Sequence, residues 1–295
     1  MSTTLSVGLV QHACTAERTE NLEASISGVH EAHRQGAELV LLPELHCYQY
    51  FCGFEDANKF NLAESIPGPT TEQLARVAAE LGIVIVASIF EHRARGLYHN
   101  TAVVLERNGQ IAGTYRKMHI PDDPGYHEKF YFAPGDQGFT PIATSAGALG
   151  VLVCWDQWFP EAARLMALAG ADLLLYPSAI GWDPKDSEPE RARQLDAWIT
   201  IQRAHAIANS LPLAVCNRWG VEEGVKENAT PIQFWGSSFI TGPQGEILAQ
   251  ASSDANAVHV VSLDSKRSEA VRHEWPYLRD RRIDAYKGLL SRYLD

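Results

Sequence analysis

The sequence has no block of lysine or arginine and no long apolar segment. Its 295 residues include 25 lysines and arginines against 36 aspartates and glutamates, a formal net charge of −11 at pH 7. General nucleic-acid and membrane-surface binders need a basic face, so we expect neither kind of partner. No apolar run reaches the ~20 residues of a membrane-spanning helix, and no signal-peptide pattern opens the chain. We therefore expect a cytoplasmic protein.

Cysteine is scarce and odd in number. The five cysteines are widely spaced, and no Cys-x-x-Cys pair occurs. Without a secretion signal, a disulfide framework is not expected, and at least one thiol should be free. The spacing of His46, Cys47 and Cys52 fits no common zinc pattern. We interpret four of the thiols as packed or loop residues, namely Cys14, Cys47, Cys52 and Cys216.

Short apolar runs alternate with helix-like segments through the whole chain. Several runs are continuously apolar, which is typical of strands buried on both faces or beneath helices. Four intervening segments have helical character, and three of them are followed by glycine, which favours the end of a helix. The predicted strands are 5–10, 39–42, 83–90, 101–105, 149–153, 173–176, 213–215 and 257–261, and the predicted helices are 17–35, 71–81, 160–169 and 189–210.

Two turn signals interrupt this alternation. Asn108-Gly109 and Pro243-Gln244-Gly245 each separate two short apolar runs, as in a β-hairpin. Hairpins pair strands antiparallel, whereas alternating strands and helices favour parallel pairing, so the sheets should be mixed. No linker, low-complexity tract or repeat divides the chain. We expect a single α/β domain over residues 1–295, with 264–295 as a C-terminal extension or wrap.

Three side chains with complementary chemistry stand at the ends of predicted strands. Glu44 ends the apolar run that begins at Leu39, Lys117 follows Tyr115-Arg116, and Cys154 follows the run 149–153. A base can take the thiol proton, a fixed cation can hold an oxyanion, and the sulfur can carry an acyl group. Together these residues predict a thiol amidase with Cys154 as its nucleophile.

Each of these residues also has a simpler interpretation. A cysteine beside valine and leucine is usually a packed core residue, a glutamate can form a salt bridge at a pocket rim, and most lysines are exposed. A buried, unpaired Glu44 would be costly, so it needs a partner or a wet cleft. Because all three occupy the same kind of position, we favour the catalytic interpretation. Glu128, in the loop after Lys117, is a further acid that could pair with Lys117 or a substrate amide, or else be solvated.

The surroundings of Cys154 predict an elbow between a strand and a helix. Residues 155–160 lead directly into a predicted helix, so backbone N–H groups should point outward and the helix dipole should favour the thiolate. Histidine offers a competing mechanism, because a Cys–His pair is the usual design of thiol hydrolases. His119 and His127 lie near Lys117, but no histidine has a context typical of those enzymes. If the strand continued past Lys117, His119 would share its face and could support it.

Three segments resemble the Glu–Lys–Cys triad segments of the carbon–nitrogen hydrolase (nitrilase) superfamily: Leu-Leu-Pro-Glu44, Tyr-Arg-Lys117 and Val-Cys154-Trp. The resemblance extends over nearly the whole chain, from Val7 to Ile240. Within the superfamily, the N-carbamoylputrescine amidohydrolases are similar over four segments, 50–52, 119–132, 154–164 and 176–181. The chain departs from their pattern at Asp122-Asp123 and Trp182-Asp183, in loops that could line the substrate cleft.

This resemblance implies an αββα sandwich that dimerises through layered packing and uses no metal or organic cofactor. By position it makes Glu44 the general base, Lys117 the oxyanion-stabilising cation and Cys154 the nucleophile. Glu128 becomes an auxiliary acid, and the backbone N–H of Trp155 would help to hold the oxyanion. The resemblance also implies a small carbamoylated amine as substrate and a homo-oligomer as the working form.

The substrate implied by the resemblance would be recognised through its charge. A putrescine-like tail ends in an ammonium, which in a cleft needs a carboxylate, with aromatic rings around its methylenes. Asp183 is our candidate for that carboxylate, although a loop acid before a proline can have a purely local role. Tyr50 and Trp155 are the candidate walls, and Ala179 is a further candidate substrate contact.

Two other functions stay open. A related amidase acting on N-carbamoyl-β-alanine or on an ω-amide would bind an anionic substrate, and would want an arginine where we place an acid. A non-catalytic relative that only forms assemblies would keep the fold for binding, and the intact Glu44, Lys117 and Cys154 argue against it. An assay of ammonia release separates the non-catalytic relative from the enzymes, and turnover of N-carbamoylputrescine, N-carbamoyl-β-alanine and glutamine-type amides separates the amidases from one another.

Overall fold

Two six-stranded β-sheets form the centre of the computed structural model, which describes residues 4–223 and 231–294. The first sheet contains β1 (Thr4–Gln11), β2 (Leu39–Leu41), β3 (Val84–Ala94), β4 (Leu97–Leu105), β5 (Ile111–Arg116) and β15 (Ala257–Asp264). Its order is β15-β1-β2-β3-β4-β5. The central pairs β1–β2 and β2–β3 are parallel, and the outer pairs are antiparallel.

The second sheet repeats this mixed design. It contains β6 (Ile142–Thr144), β7 (Gly147–Val151), β8 (Leu173–Ser178), β10 (Leu213–Asn217), β13 (Phe239–Thr241) and β14 (Ile247–Gln250). The order is β14-β13-β10-β8-β7-β6, with β7, β8 and β10 parallel. Both predicted hairpins are confirmed, because β4 pairs antiparallel with β5 and β13 pairs antiparallel with β14.

Helices cover the outer face of each sheet. Against the first sheet lie α1 (Arg18–Arg34) and α2 (Pro69–Leu81), and against the second lie α4 (Pro160–Leu168) and α5 (Glu188–Asn209). β1 faces β10 across the middle of the molecule. The order of layers is therefore helix, sheet, sheet, helix, and the predicted αββα sandwich is confirmed.

Alternation along β2 shows how the sequence builds these layers. Leu39 and Leu41 belong to the core between the two sheets, whereas Val40 belongs to the core beneath α1 and α2. Successive side chains of a strand point to opposite faces, and both faces of this sheet are covered. That is why the strand is a continuous apolar run.

A smaller sheet and short helices complete the described chain. The three-stranded sheet contains β9 (Gly181–Trp182), β11 (Trp219–Glu222) and β12 (Ile232–Trp235), in the order β11-β12-β9. The remaining α-helices in the described ranges are α3 (Glu128–Tyr131) and α6 (Ser265–Glu274). None of the helices that the structure describes is long and apolar enough to cross a membrane.

The strand before Lys117 does not continue into the following loop. β5 stops at Arg116, so the strand does not continue past Lys117 toward Ile120. The Lys117 N–H still bonds to the carbonyl of Asn100 on β4 (2.9 Å), but its own carbonyl accepts from the N–H of Gly135 (2.8 Å). The chain is thereby drawn away from the sheet, so His119 does not share a strand face with Lys117.

Candidate active site

The ends of strands from both sheets meet at one edge of the sandwich. Glu44 lies in the loop after β2, Lys117 follows β5, and Cys154 lies just beyond β7. The Glu44 N–H donates to the carbonyl of Ser178 at the end of β8 (3.2 Å), which ties the two sheets together at this point. Three residues that are far apart in the sequence are therefore brought into one buried group.

Lys117 is the centre of that group. Its ammonium, fully buried, donates to Glu44 Oε1 (2.8 Å) and to Glu128 Oε2 (2.7 Å). Asn100 Nδ2 also donates to Glu44 Oε1 (2.6 Å), and the Tyr50 hydroxyl donates to Glu128 Oε1 (2.7 Å). Glu44 Oε2, in contrast, has no hydrogen-bond partner among the described residues. One oxygen of Glu44 thus fixes the carboxylate, and the other is left for chemistry.

The charged groups of this buried site shift one another's pKa. Burial alone would lower the pKa of Lys117, but the carboxylates of Glu128 and Glu44 raise it well above its usual value. Burial, opposed by Lys117 and helped by Glu44, raises the pKa of Glu128 to about 7. Lys117 therefore stays charged, whereas Glu128 is poised to hold or release a proton near neutral pH.

Cys154 lies at a strained turn beside this group. Its φ of 43° is in the left-handed region, which is costly for a non-glycine residue and is concentrated at functional sites. Sγ points toward the carbonyl of Ala179 (3.8 Å). The 3₁₀ turn Cys154–Trp158 comes directly before α4, so the predicted elbow is present. The first N–H groups of such a turn, including that of Trp155, have no acceptor within the turn.

The resting state of the thiol differs from the expectation. We expected the helix dipole to favour a thiolate, but burial and the carboxylate of Glu44 raise the pKa of Cys154 well above its usual value, against the lowering effect of Lys117. Desolvation of the sulfur is the largest cause of this shift. Cys154 is therefore a thiol at rest, and a base must remove its proton before it can attack.

Asp156 holds the other side of the Cys154 turn. Its Oδ2 accepts from the Tyr115 hydroxyl (2.8 Å) and the Val153 N–H (2.9 Å). Its Oδ1 lies 3.0 Å from the donating N–H of His119 and 2.6 Å from His119 Nδ1. The His119 ring also stacks on Phe159, with centroids 3.7 Å apart. His119 is therefore linked to the nucleophile turn through Asp156.

Arg218 is a residue that the sequence analysis missed. Its buried guanidinium donates to the carbonyls of Glu44 (2.7 Å), Leu45 (2.9 Å) and Tyr48 (2.8 Å), and to Glu222 Oε1 (2.9 Å). These bonds clamp the loop that carries Glu44, in which Leu45 has a φ of 48°. An arginine just past a predicted strand has no pattern that separates it from a surface arginine.

A cavity of about 270 Å³ opens onto the sulfur. This volume is near the lower limit of pockets for drug-sized ligands, so the cavity suits a small molecule. Its described lining contains four aromatic residues and no lysine or arginine. The residues around it are Pro121, Tyr126, Glu128, Cys154, Trp155, Trp158, Ile180, Gly181, Gln194, Ala197 and Trp235.

The four predicted substrate contacts occupy different places. Trp155 lines the cavity, and the carbonyl of Ala179 faces Cys154. Tyr50 is buried with its hydroxyl on Glu128, so it supports that acid rather than forming a wall. Asp183 is exposed, does not line the cavity, and accepts from the N–H of Lys185 (2.9 Å) within its own loop. A role for Asp183 in binding stays a prediction.

A buried thiol, an acid with a free oxygen and a fixed ammonium beside a small cavity define an amidase of the thiol type, and residues 6–273 match the carbon-nitrogen hydrolase family. The chain belongs to this family and is an enzyme that hydrolyses carbon–nitrogen bonds.

Individual proteins of known sequence or structure are similar to this chain over nearly its whole length. The chain is 43% identical to an N-carbamoylputrescine amidase of Solanum lycopersicum, over 97% of this chain and 95% of that protein. It is 38% identical to a citrullinase of Francisella tularensis, over 98% and 99% of the two chains. A solved carbon-nitrogen hydrolase from Helicobacter pylori G27 has 50% identity and a TM-score of 0.96, and the match covers 99% of this chain and 100% of that one.

Proposed function

We propose that the protein hydrolyses N-carbamoylputrescine to putrescine, carbon dioxide and ammonia. The observation that carries the proposal is the buried Glu44–Lys117–Cys154 group at the base of a small aromatic cavity whose described lining has no cation. A cavity of that kind suits an uncharged ureido group at its base and an amine at its outer end. The similarity to an N-carbamoylputrescine amidase supports the same substrate.

In the first half of the reaction, Glu44 is the general base and Cys154 the nucleophile. Glu44 Oε2 takes the thiol proton, and the sulfur attacks the ureido carbon. Lys117 and the backbone N–H of Trp155 stabilise the oxyanion that forms. The C–N bond then breaks, the proton held by Glu44 passes to the leaving nitrogen, and the acyl group stays on sulfur.

In the second half, water replaces the sulfur. Glu44 removes a proton from a water molecule, which attacks the acylated Cys154 and regenerates the thiol. Glu128 is an auxiliary acid, because it shares Lys117 with Glu44 and its pKa of about 7 lets it adjust the charge of the group near neutral pH. The C–S bond breaks, the proton held by Glu44 returns to the sulfur, and the carbamic acid that is released decomposes to carbon dioxide and the second amine or ammonia.

A panel of substrates tests this proposal. N-carbamoylputrescine should have the highest kcat/KM, ahead of citrulline, N-carbamoyl-β-alanine and glutamine, with putrescine and ammonia formed in equal amounts. Citrulline is included because of the similarity to a citrullinase, and its carboxylate would lie in a cavity without a cation in its described lining. A higher kcat/KM for any of the other three would replace the proposed substrate.

We also infer that the chain forms a homo-oligomer in the cytoplasm, with 264–295 as an extension that packs on a second copy. Large apolar side chains of this segment are exposed, among them Leu290 (95%), Tyr293 (83%) and Leu294 (67%), and exposed apolar clusters mark protein interfaces. The five cysteines are all free thiols, as is usual in a reducing compartment. Analytical ultracentrifugation of the full chain and of a chain ending at residue 274 tests the assembly, which the shorter chain should lose.

A further inference from the structure

Gln194 is a polar residue of the cavity that the proposed chemistry does not use. It lies on α5, and Ala197 lines the same cavity one turn further along the helix, because residues three apart share a helix face. The reactive Cys154 belongs to a different element of the wall. The thiol and this amide therefore belong to the lining of one cavity.

Two carboxylates fix the orientation of that amide. Gln194 Nε2 donates to Asp186 Oδ2 (3.1 Å) and to Glu190 Oε1 (3.3 Å). These bonds use both N–H groups of the side chain, so the carbonyl oxygen must point away from the two acids. Within residues 4–223 and 231–294, no donor bonds to Gln194 Oε1. Because Gln194 lines the cavity and its Nε2 is already bonded, Oε1 is the atom of this amide that is left to accept from a ligand.

The carboxylates of Asp186 and Glu190, which bond to Gln194, favour a cation as the ligand of its carbonyl oxygen. Carboxylates that accept from an amide polarise it and strengthen its oxygen as an acceptor. The nearby guanidinium of Arg191 is committed elsewhere, to the carbonyls of Asp186 (3.1 Å) and Pro184 (2.6 Å) and to Gln233 Oε1 (3.1 Å). Of the two acids that bond to Gln194, Glu190 forms an ion pair with Arg193. The carboxylate of Asp186 has no basic side chain bonded to it in the described structure.

Aromatic rings in the lining of the same cavity suit a short alkyl chain. Trp155, Trp158 and Trp235 all line the cavity. Their faces pack against methylene groups and attract an ammonium. The lining of the cavity therefore combines a thiol, aromatic surface and a polarised amide carbonyl.

We propose that Gln194, backed by Asp186 and Glu190, is the residue that selects a substrate with a terminal ammonium. This inference rests on the proposed function and deepens it, by naming the side chain that recognises the distal amine. It is an alternative to the predicted role of Asp183, whose side chain is exposed and whose carboxylate accepts within its own loop. The ligand class is a short N-carbamoyl alkylamine with a positive end.

Steady-state kinetics with two substrates tests the assignment. N-carbamoylputrescine is compared with n-pentylurea, in which a methyl group replaces the ammonium and the ureido end is unchanged. In Gln194→Leu, kcat/KM for N-carbamoylputrescine should fall about 10- to 100-fold, the scale of a hydrogen bond to a charged group. The value for n-pentylurea should change far less. Asp186→Asn should show the same selectivity with a smaller loss, because the amide stays but its polarisation weakens.

Two more variants separate this mechanism from its rivals. Asp196→Asn removes a charge from an exposed position of α5 and is the matched control for long-range electrostatics, so the ratio of the two kcat/KM values should not change. Asp183→Asn tests the rival acid. A loss of the preference in Asp183→Asn but not in Gln194→Leu, or equal losses for both substrates in Gln194→Leu, would overturn the inference.

The failure of the proposed function has a different signature. If the unaltered enzyme does not prefer N-carbamoylputrescine to n-pentylurea, the proposed substrate itself is wrong. If that preference is present and survives in Gln194→Leu, the substrate stands and the role of Gln194 is wrong.

Discussion

Two buried carboxylates on either side of Cys154, those of Glu44 and Asp156, make opposite use of their oxygens. Glu44 Oε1 accepts from Lys117 and Asn100, while Oε2 has no partner among the described residues. Both oxygens of Asp156 have two hydrogen-bond contacts each. An acid that must take a proton needs an open oxygen, whereas an acid that holds a turn is most effective when saturated. The difference supports the proposed role of Glu44 as the base and indicates a positioning role for Asp156.

The largest effect on activity should come from replacing the carboxylate of Glu44, whose Oε2 has no partner among the described residues, by an amide. Glu44→Gln keeps a side-chain oxygen that can accept from Lys117 and Asn100, but it removes the base. Because Cys154 is a thiol at rest, kcat should fall about 10²- to 10⁴-fold, the usual range for general-base catalysis. Cys154→Ala should abolish turnover altogether. Thermal unfolding of both variants is the control, and a folded Glu44→Gln with nearly normal kcat would exclude Glu44 as the base.

Removing the guanidinium of Arg218, which holds the loop that carries Glu44, should lower the free energy of unfolding by several kcal/mol. Arg218→Met leaves Glu222 buried without its cation, and three loop carbonyls lose their donor. Removing one partner of a buried ion pair costs about 3–5 kcal/mol, to be measured by urea denaturation. Arg267→Met, which removes an exposed pair with Glu246, should cost about 0–1 kcal/mol. Similar losses in both variants would contradict the structural role of Arg218.

Much of this fold could be predicted from local sequence patterns, because the layered packing requires apolar residues at regular positions in its strands and helices. Continuous apolar runs such as 39–42 arise from strands covered on both faces, and glycine after 71–81 marks a helix end with a φ of 65° at Gly82. The strands β9, β11 and β12 were not predicted. They are two to four residues long, which is too short for a periodic pattern.

Strand ends also indicated which side chains meet at the site, but not their protonation. Glu44, Lys117 and Cys154 were recognisable because each stands at the end of a strand-like run. The raised pKa of Cys154 depends on burial and on Glu44 in another loop, and no local pattern carries that information. The same holds for Gln194, whose acceptor oxygen is defined by Asp186 and Glu190 only once α5 has folded.

A smaller change in activity should follow from removing hydrogen bonds of Asp156, both of whose oxygens have partners. Asp156→Asn exchanges one accepting oxygen for a donor, so two of the four contacts around it are lost. The Cys154 turn would loosen without losing any reactive group, and kcat should fall about 10-fold, less than for loss of the base, with KM changed little. Asp172→Asn is a suitable control, since Asp172 is exposed and accepts from the Ala148 N–H. A loss as large as that of Glu44→Gln would mean that Asp156 takes part in the chemistry.

The smallest effect concerns a neutral network near the Glu44 loop, in which Ser25 Oγ lies 2.9 Å from His12 Nε2 and 2.8 Å from His46 Nδ1. Burial lowers the pKa of His12 to about 4, from an ordinary 6.5. Below pH 6.5 the unfolded chain therefore binds a proton that the folded chain refuses, so the free energy of unfolding should fall as the pH drops toward 4 and level off below it. The contribution of His12 at pH 6 is about 1 kcal/mol or less. Urea denaturation between pH 7 and 5 should give a shallower slope for His12→Gln than for the exposed His273→Gln. Equal slopes would show that folding does not change the pKa of His12.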